Sequence, residues 1–343
     1  MTTDSEHICI IGNGAMATVC SIILAQNGHR ITMWGHNAKS IEKLKETRIN
    51  DRLLAGVKIP DSVRLTADES DCFEDAKLIV SAVPTQYLRN AWDRLSEFVP
   101  SAVPIVSLSK GIENQTMLRP TEVIADALGE IAMLNRPLAA LSGPNIAMEL
   151  AKYLPATAVV GSTHTDFARR VQSVFSTQWF RVYTNTDSIG VELAGATKNV
   201  IAIAAGILDG LGAGNNAKAA VVTRGLVEIT RLGVAMGARE TTFHGLAGMG
   251  DLLTTCVSPE GRNRTLGEQI GKGRALQAIL DATQSVAEGV PTTVSMVQLA
   301  DKFNVEMPIT RAVHAILFEG MDVMFALTDL MTRDPKPERI DFT

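Results

Sequence analysis

The sequence predicts an α/β fold: a doubly wound, mostly parallel sheet followed by an all-helical C-terminal region. Three observations carry this. Strand-like and helix-like segments alternate from His7 to Tyr183, the pattern of βαβ units. The first strand-like run leads through a glycine turn into a helix, Gly12-Asn13-Gly14-Ala15-Met16-Ala17. After Tyr183 the strand-like runs stop and helical periods take over. A chain of 343 residues exceeds one ordinary core and divides naturally in two. The expected units are a dinucleotide-binding domain over residues 1–190, a helical substrate domain over 191–331 and a polar tail, 332–343.

His7–Ile11 is apolar enough for a buried strand, and Arg30–Trp34 follows as the next. Strand, glycine turn, helix and strand is the context in which a GxGxxG/A match points to a Rossmann-type nucleotide site. Gly12 permits the tight turn, Gly14 lets the backbone approach a pyrophosphate on the helix N-terminus, and Ala17 keeps the packing close. The second strand ends in Trp34-Gly35-His36-Asn37. An acidic residue here would bind the ribose 2′-hydroxyl of NAD. Its absence, with His36 at hand, leans toward NADP(H), with NAD(H) also accepted.

Further strands are expected at Lys77–Val83, Ile105–Leu108, Leu138–Leu141, Thr157–Val160 and Phe180–Tyr183, with helices at Gln86–Phe98, Thr121–Leu128, Ile146–Lys152 and Asp166–Ser176. Residues Asp51–Asp68 show no regular period. Ligands of such sheets gather outside the carboxyl ends of the strands. Three loops start there: Val83-Pro84-Thr85, Lys110-Gly111 and Ser142-Gly143-Pro144-Asn145.

The helical region opens with the most informative stretch, Glu192–Asn216. Between Glu192 and Asp209 its one charge is Lys198, while Leu193, Thr197, Ile201, Ala204 and Leu208 recur at helical spacing. Such a helix is a buried one. It is too alanine-rich for a membrane span, and the lysine argues further against one. Ala194, Gly195 and Ala202 flank Lys198 and leave room for something to come close. A buried ammonium needs a partner or loses its proton, and Glu192 is one candidate partner. Lys218–Met236 continues as a helix, then come the glycine-rich loop Gly245–Asp251 and the polar loop Pro259–Arg264, whose guanidinium and amide donors suit a phosphate. Helices are expected near Thr292–Phe303, Ile309–Phe318 and Val323–Met331, with a loosely held tail from Thr332 to Thr343.

A net charge of −5 without a dense basic run gives no sign of nucleic acid. The six histidines show no HxxxH or HExxH spacing, so no metal is expected. Cys9, Cys20, Cys72 and Cys256 are scattered without a CxxC and suit reduced thiols in the cytoplasm. The N-terminal MTTDSEH is no signal peptide. The sequence is compatible with a homodimer.

The motifs GNGAMA, WGH, VP, SKGIE, SGPNIAMEL, GATKNVIAIAAGILDGLGAGNN, GLAGMGDLLTTC, GRNR and VAEGV occur in this order. Together they resemble the bacterial-type NAD(P)-dependent glycerol-3-phosphate dehydrogenase family, from about Ile8 to Met331. The resemblance implies reversible hydride transfer between dihydroxyacetone phosphate and sn-glycerol 3-phosphate, a small phosphorylated substrate. It makes Lys198 the proton donor and acceptor, with Asp251 orienting it. It places Lys110, Gly143, Asn145, Lys198, Asp251, Gly261, Arg262 and Asn263 at the substrate. At the cofactor it places Ala15, Met16, His36, Lys110, Ala147, Arg262, Val286 and Glu288, beside the Gly12–Gly14 turn. The chain departs from the family pattern at Ala15, Met16, Ala17, Asn145 and Gly261, losing hydroxyl donors at up to three places, although the Asn145 amide still offers a donor. The alternatives are a related two-domain hydroxy-acid or keto-acid reductase and a catalytically silent nicotinamide-binding sensor.

Overall fold

The first strand, β1 (His7–Ile11), is buried on both faces. Ile8 and Ile10 enter one apolar cluster and Cys9 and Ile11 another. Successive side chains of a strand point to opposite faces, so layers cover the sheet on both sides. This is a computed structural model that describes residues 5–129, 136–283, 286–335 and 337–338. The remaining strands are β2 (Arg30–Trp34), β3 (Arg64–Thr66), β4 (Leu78–Ser81), β5 (Ile105–Ser107), β6 (Leu138–Ser142), β7 (Ala156–Gly161) and β8 (Phe180–Asn185). They form one eight-stranded sheet in the order β3-β2-β1-β4-β5-β6-β7-β8, parallel except for the antiparallel β6–β7 pair. The helices between them are α1 (Ala15–Gln26), α2 (Ala38–Thr47), α3 (Glu69–Phe73), α4 (Thr85–Leu95), α5 (Pro120–Ala127), α6 (Ala147–Ala151) and α7 (Thr165–Phe175). Each expected strand and helix of this half is present to within a few residues. β3, inside the irregular stretch, is new: three residues are too few to show a period.

The helical half begins with α8 (Ser188–Leu211), capped by the Asp187 side chain on Gly190 N and ended by Gly212 at φ 67°. This left-handed residue divides the expected Glu192–Asn216 stretch into α8 and α9 (Gly214–Ala235). Then follow α10 (Glu240–Phe243), a π-turn over Leu246–Gly250, α11 (Asp251–Val257), α12 (Arg262–Gly271), α13 (Leu276–Asp281), α14 (Gly289–Lys302), α15 (Pro308–Phe318) and α16 (Val323–Thr332). α8 is long and apolar enough to cross a membrane, yet its apolar window is fully buried inside the protein. α12 lies directly on it: a Cβ at Gly206 would stand 2.0 Å from Arg264 O, and one at Gly267 would stand 2.1 Å from Ile203 O. Backbones this close require glycine at both contacts, and the contact fixes the start of α12 relative to Lys198.

Two expectations need correction. Cys9 on β1 and Cys72 on α3 form a disulfide, with Cα atoms 5.9 Å apart across a separation of 63 residues, while Cys20 and Cys256 are free and buried. Spacing along the chain carries no trace of a pair made by α3 packing under the sheet. The start of the tail is also tethered: Arg333 pairs with Glu306, and Arg224 Nη1 donates to Glu338 O at 3.3 Å. Residues 336 and 339–343 of the expected tail, and 1–4 of the N-terminus, lie outside the described residues.

Candidate active site

Lys198 sits in the middle of α8 and is 5% exposed, and Asp251 is 2% exposed. The Lys198 Nζ donates to Asp251 Oδ1 and, at 2.6 Å, to Thr255 Oγ1. The Lys110 Nζ donates to the other carboxylate oxygen at 2.5 Å and to Gly143 O at 3.0 Å. One buried carboxylate thus faces two ammonium groups, one brought by the end of the sheet and one by the helical half. Asp251 opens α11 directly after the π-turn, a local widening common at functional sites. Thr255 lies one turn on, on the same face, and donates to Asp251 O at 2.6 Å. Burial lowers the Lys198 pKa to about 8; Asp251 opposes the shift and Lys110 adds to it. An amine poised this near neutrality can give up a proton and take it back.

Glu192, offered by the sequence as a partner for Lys198, is engaged elsewhere. It accepts from Arg119 and from Thr121 N and Oγ1 at 2.8 and 2.7 Å, which fastens the start of α5 to α8. Two residues beside Lys198 escaped the sequence reading. Thr255 is one. Asn199 is the other; it is 5% exposed, and its Nδ2 donates to Lys110 O at 3.3 Å. Asn199 follows the lysine directly, so the polar pair at the centre of an apolar helix was a signal.

A second group adjoins this triplet. Gly261 N-caps α12 without a side-chain cap, and the first turn carries no acid, so its N–H groups suit an anion. Arg262 is exposed and donates from Nη1 to Val286 O at 3.1 Å. Asn263 accepts from Gly289 N at 3.0 Å. Glu288 accepts from Thr85 N at 2.9 Å and so joins the start of α14 to the start of α4. Asn145 does not keep the expected free donor: its Nδ2 donates to Pro144 O and to Thr157 O, each at 3.0 Å. That amide holds the loop after β6 in shape.

The third group is the glycine turn. Gly12 has φ 110°, and a Cβ there would stand 2.8 Å from Ala82 O. Both facts exclude a side chain. Gly14 begins α1 with no side-chain cap and no acid in the first turn. Orphan N–H groups behind a glycine whose Cβ position meets only Leu53 Cδ1, at 4.0 Å, fit a pyrophosphate. Ala15, Met16 and Ala147 are partly buried, all on the apolar cluster shared by α1 and α6. His36 is exposed at the end of β2. The first two groups are linked: Gly111, next to Lys110, packs against Thr85 and Thr292, and Gly289 packs against Asn199 O.

The sequence models of the NAD-dependent glycerol-3-phosphate dehydrogenase N-terminus and C-terminus match residues 7–168 and 187–328. A glycerol-3-phosphate dehydrogenase (NAD(P)+) of Chlorobium limicola is 45% identical over 332 residues, 97% of this chain and 99% of the relative. One of Bacillus velezensis is 44% identical over 96% of this chain and 94% of its own. The crystal structure of glycerol-3-phosphate dehydrogenase from Coxiella burnetii superposes with a TM-score of 0.91 at 34% identity, covering 96% of this chain and 99% of that one. Family models over both halves and relatives of this identity along nearly the whole length show that the chain belongs to the NAD-dependent glycerol-3-phosphate dehydrogenase family.

Proposed function

We propose that the protein interconverts dihydroxyacetone phosphate and sn-glycerol 3-phosphate with NADP(H) or NAD(H), acting in the cytoplasm and supplying glycerophospholipid synthesis. The observation that carries this is the Lys110–Asp251–Lys198 triplet beside the uncapped start of α12. The bound cofactor supplies or accepts the hydride. The chain's own residues do the rest. Protonated Lys198 donates a hydrogen bond to the ketone oxygen and releases its proton to it as negative charge develops there. Asp251 keeps the ammonium aimed and Thr255 fixes its second donor direction. Lys110 offsets part of the Asp251 charge and holds the loop after β6 through Gly143. Arg262, Asn263 and the first turn of α12 hold the phosphate. In the reverse direction neutral Lys198 takes the proton from the C2 hydroxyl. Residues 1–190 serve as the dinucleotide domain and 191–331 as the substrate domain. Separate apolar clusters under the sheet and around α8 support this division.

The experiment is oxidation of NADPH, then of NADH, with dihydroxyacetone phosphate, unphosphorylated dihydroxyacetone and a 2-keto acid. The phosphorylated ketone should be turned over far better than the other two. Arg262→Ala should raise its KM by about 10- to 100-fold, the scale of a lost charge-assisted contact. Similar efficiency with both ketones would refute the phosphate site. Preference for the keto acid would point to the related reductases, and cofactor binding without turnover to a sensor.

The pH profile tests Lys198 independently. Its protonated form, needed for reduction, prevails below about pH 8. The kcat/KM for reduction should therefore fall by about tenfold per pH unit above that value, while that for oxidation rises through the same range. A reduction profile flat to about pH 10 would remove Lys198 as the proton donor.

A further inference from the structure

The strand end that faces the adenosine ribose in nucleotide-binding sheets carries a cation here that its own sequence does not show. Arg94, in the last turn of α4, reaches over the end of β2. Its Cζ stands 5.4 Å from the centroid of the Trp34 ring, and Nη1 donates to His36 O at 3.2 Å. Its remaining nitrogens face the carboxylate of Glu69, the first residue of α3. Stacked below, bonded at one edge and paired at another, the guanidinium is held in one plane while its side chain stays 46% exposed. Around it stand exposed His36 and the start of α2, which has no acid in its first turn.

We propose that Arg94 is the residue that distinguishes NADPH from NADH and that Glu69 tempers the choice. A 2′-phosphate carries up to two negative charges and presents oxygens that match the guanidinium fork. A ribose 2′-hydroxyl gains nothing comparable. Glu69 neutralises Arg94 when the phosphate is absent and repels the phosphate when it is present. An Arg–Glu pair of this kind admits both cofactors, where a free arginine would favour NADPH strongly and a free carboxylate would favour NADH. The proposal rests on the dinucleotide-binding reading of the β1–α1 turn and on the Arg94 contacts with Trp34, His36 and Glu69, not on the catalytic lysines.

The test is fluorescence titration of the intact protein with NADPH and NADH, together with competition by adenosine 2′,5′-bisphosphate and adenosine 5′-monophosphate, which lack the nicotinamide. Arg94→Gln should weaken NADPH and the bisphosphate by about 10- to 100-fold and change NADH by less than about twofold. Arg94→Lys keeps the charge without the fork and should fall between. Glu69→Gln should tighten NADPH several-fold and leave NADH nearly unchanged. Melting temperatures of each variant separate these effects from loss of fold, and Glu69→Gln alone decides the matter if the Arg94 variants do not fold. Equal losses for both cofactors in Arg94→Gln, or a ratio unmoved by Glu69→Gln, would overturn the proposal. Failure of the parent to bind either cofactor would instead overturn the dinucleotide reading.

Discussion

Lys198→Met should lower turnover by about two to four orders of magnitude, the usual scale for a lost general acid, in a protein that still folds and still binds NADPH. The stem keeps its length and stays apolar, and α8 keeps its packing. Asp251 does not become an orphan, because the Lys110 Nζ remains 2.5 Å from its second oxygen. The carboxylate therefore keeps a partner, and the desolvation of one buried ammonium is relieved. The turn at Gly12–Gly14 lies on the sheet side and is untouched. Turnover, cofactor titration and melting temperature on one preparation give the answer. A folded, NADPH-binding variant at near-parental rate would end the case for Lys198 as proton donor.

Removing the carboxylate instead should be far more damaging to the fold. Asp251→Ala leaves two ammonium groups facing each other, one of them on a side chain only 7% exposed. Breaking a buried pair from one side typically costs about 3–5 kcal/mol. With its opposing charge gone, the Lys198 pKa moves further down, in the direction burial already drives it. Activity should disappear along with the stability. Chemical denaturation of this variant and of the double variant Lys198→Met/Asp251→Ala separates charge from packing. The double variant should be the more stable of the two, since the more deeply buried of the two unpaired cations is gone. If Asp251→Ala unfolds at the parental midpoint, the triplet is not the ionic unit described here.

Some of this site is written in short stretches of chain. The turn before α1 is local: Gly12 and Gly14 stand two apart, after an apolar strand and before a helix, and the conformation they permit needs no distant partner. Lys198 was visible as the one charge in an apolar helical period. Arg262 and Asn263 were visible as donors at a helix start. The motif order extended this to Lys110, Asp251 and the glycine positions. What surrounds each residue was not visible in the same way. Glu192, on the same helix, was the partner that the neighbouring sequence offered for Lys198, whereas Asp251 came only from the motif order. The fold gives Glu192 to Arg119 and Thr121, and gives Lys198 an aspartate 53 residues on. Asn145 lost its free amide to two carbonyls, Cys9 found Cys72, and Arg94 arrived at the end of β2 from 58 residues downstream.

By itself the sequence determined the alternating architecture, the buried helix, the glycine turn before α1 and the residue types at the candidate site. Periodicity and glycine geometry are set by neighbours within one or two turns, so they can be read in order. Only the tertiary structure decided which carboxylate meets which cation, how far burial shifts Lys198, and where Arg94 points. Those depend on how closely separate elements approach. The contact of α8 with α12 shows the reason: two glycine-lined backbones touch, and that fit sets the start of α12 against the helix that carries Lys198.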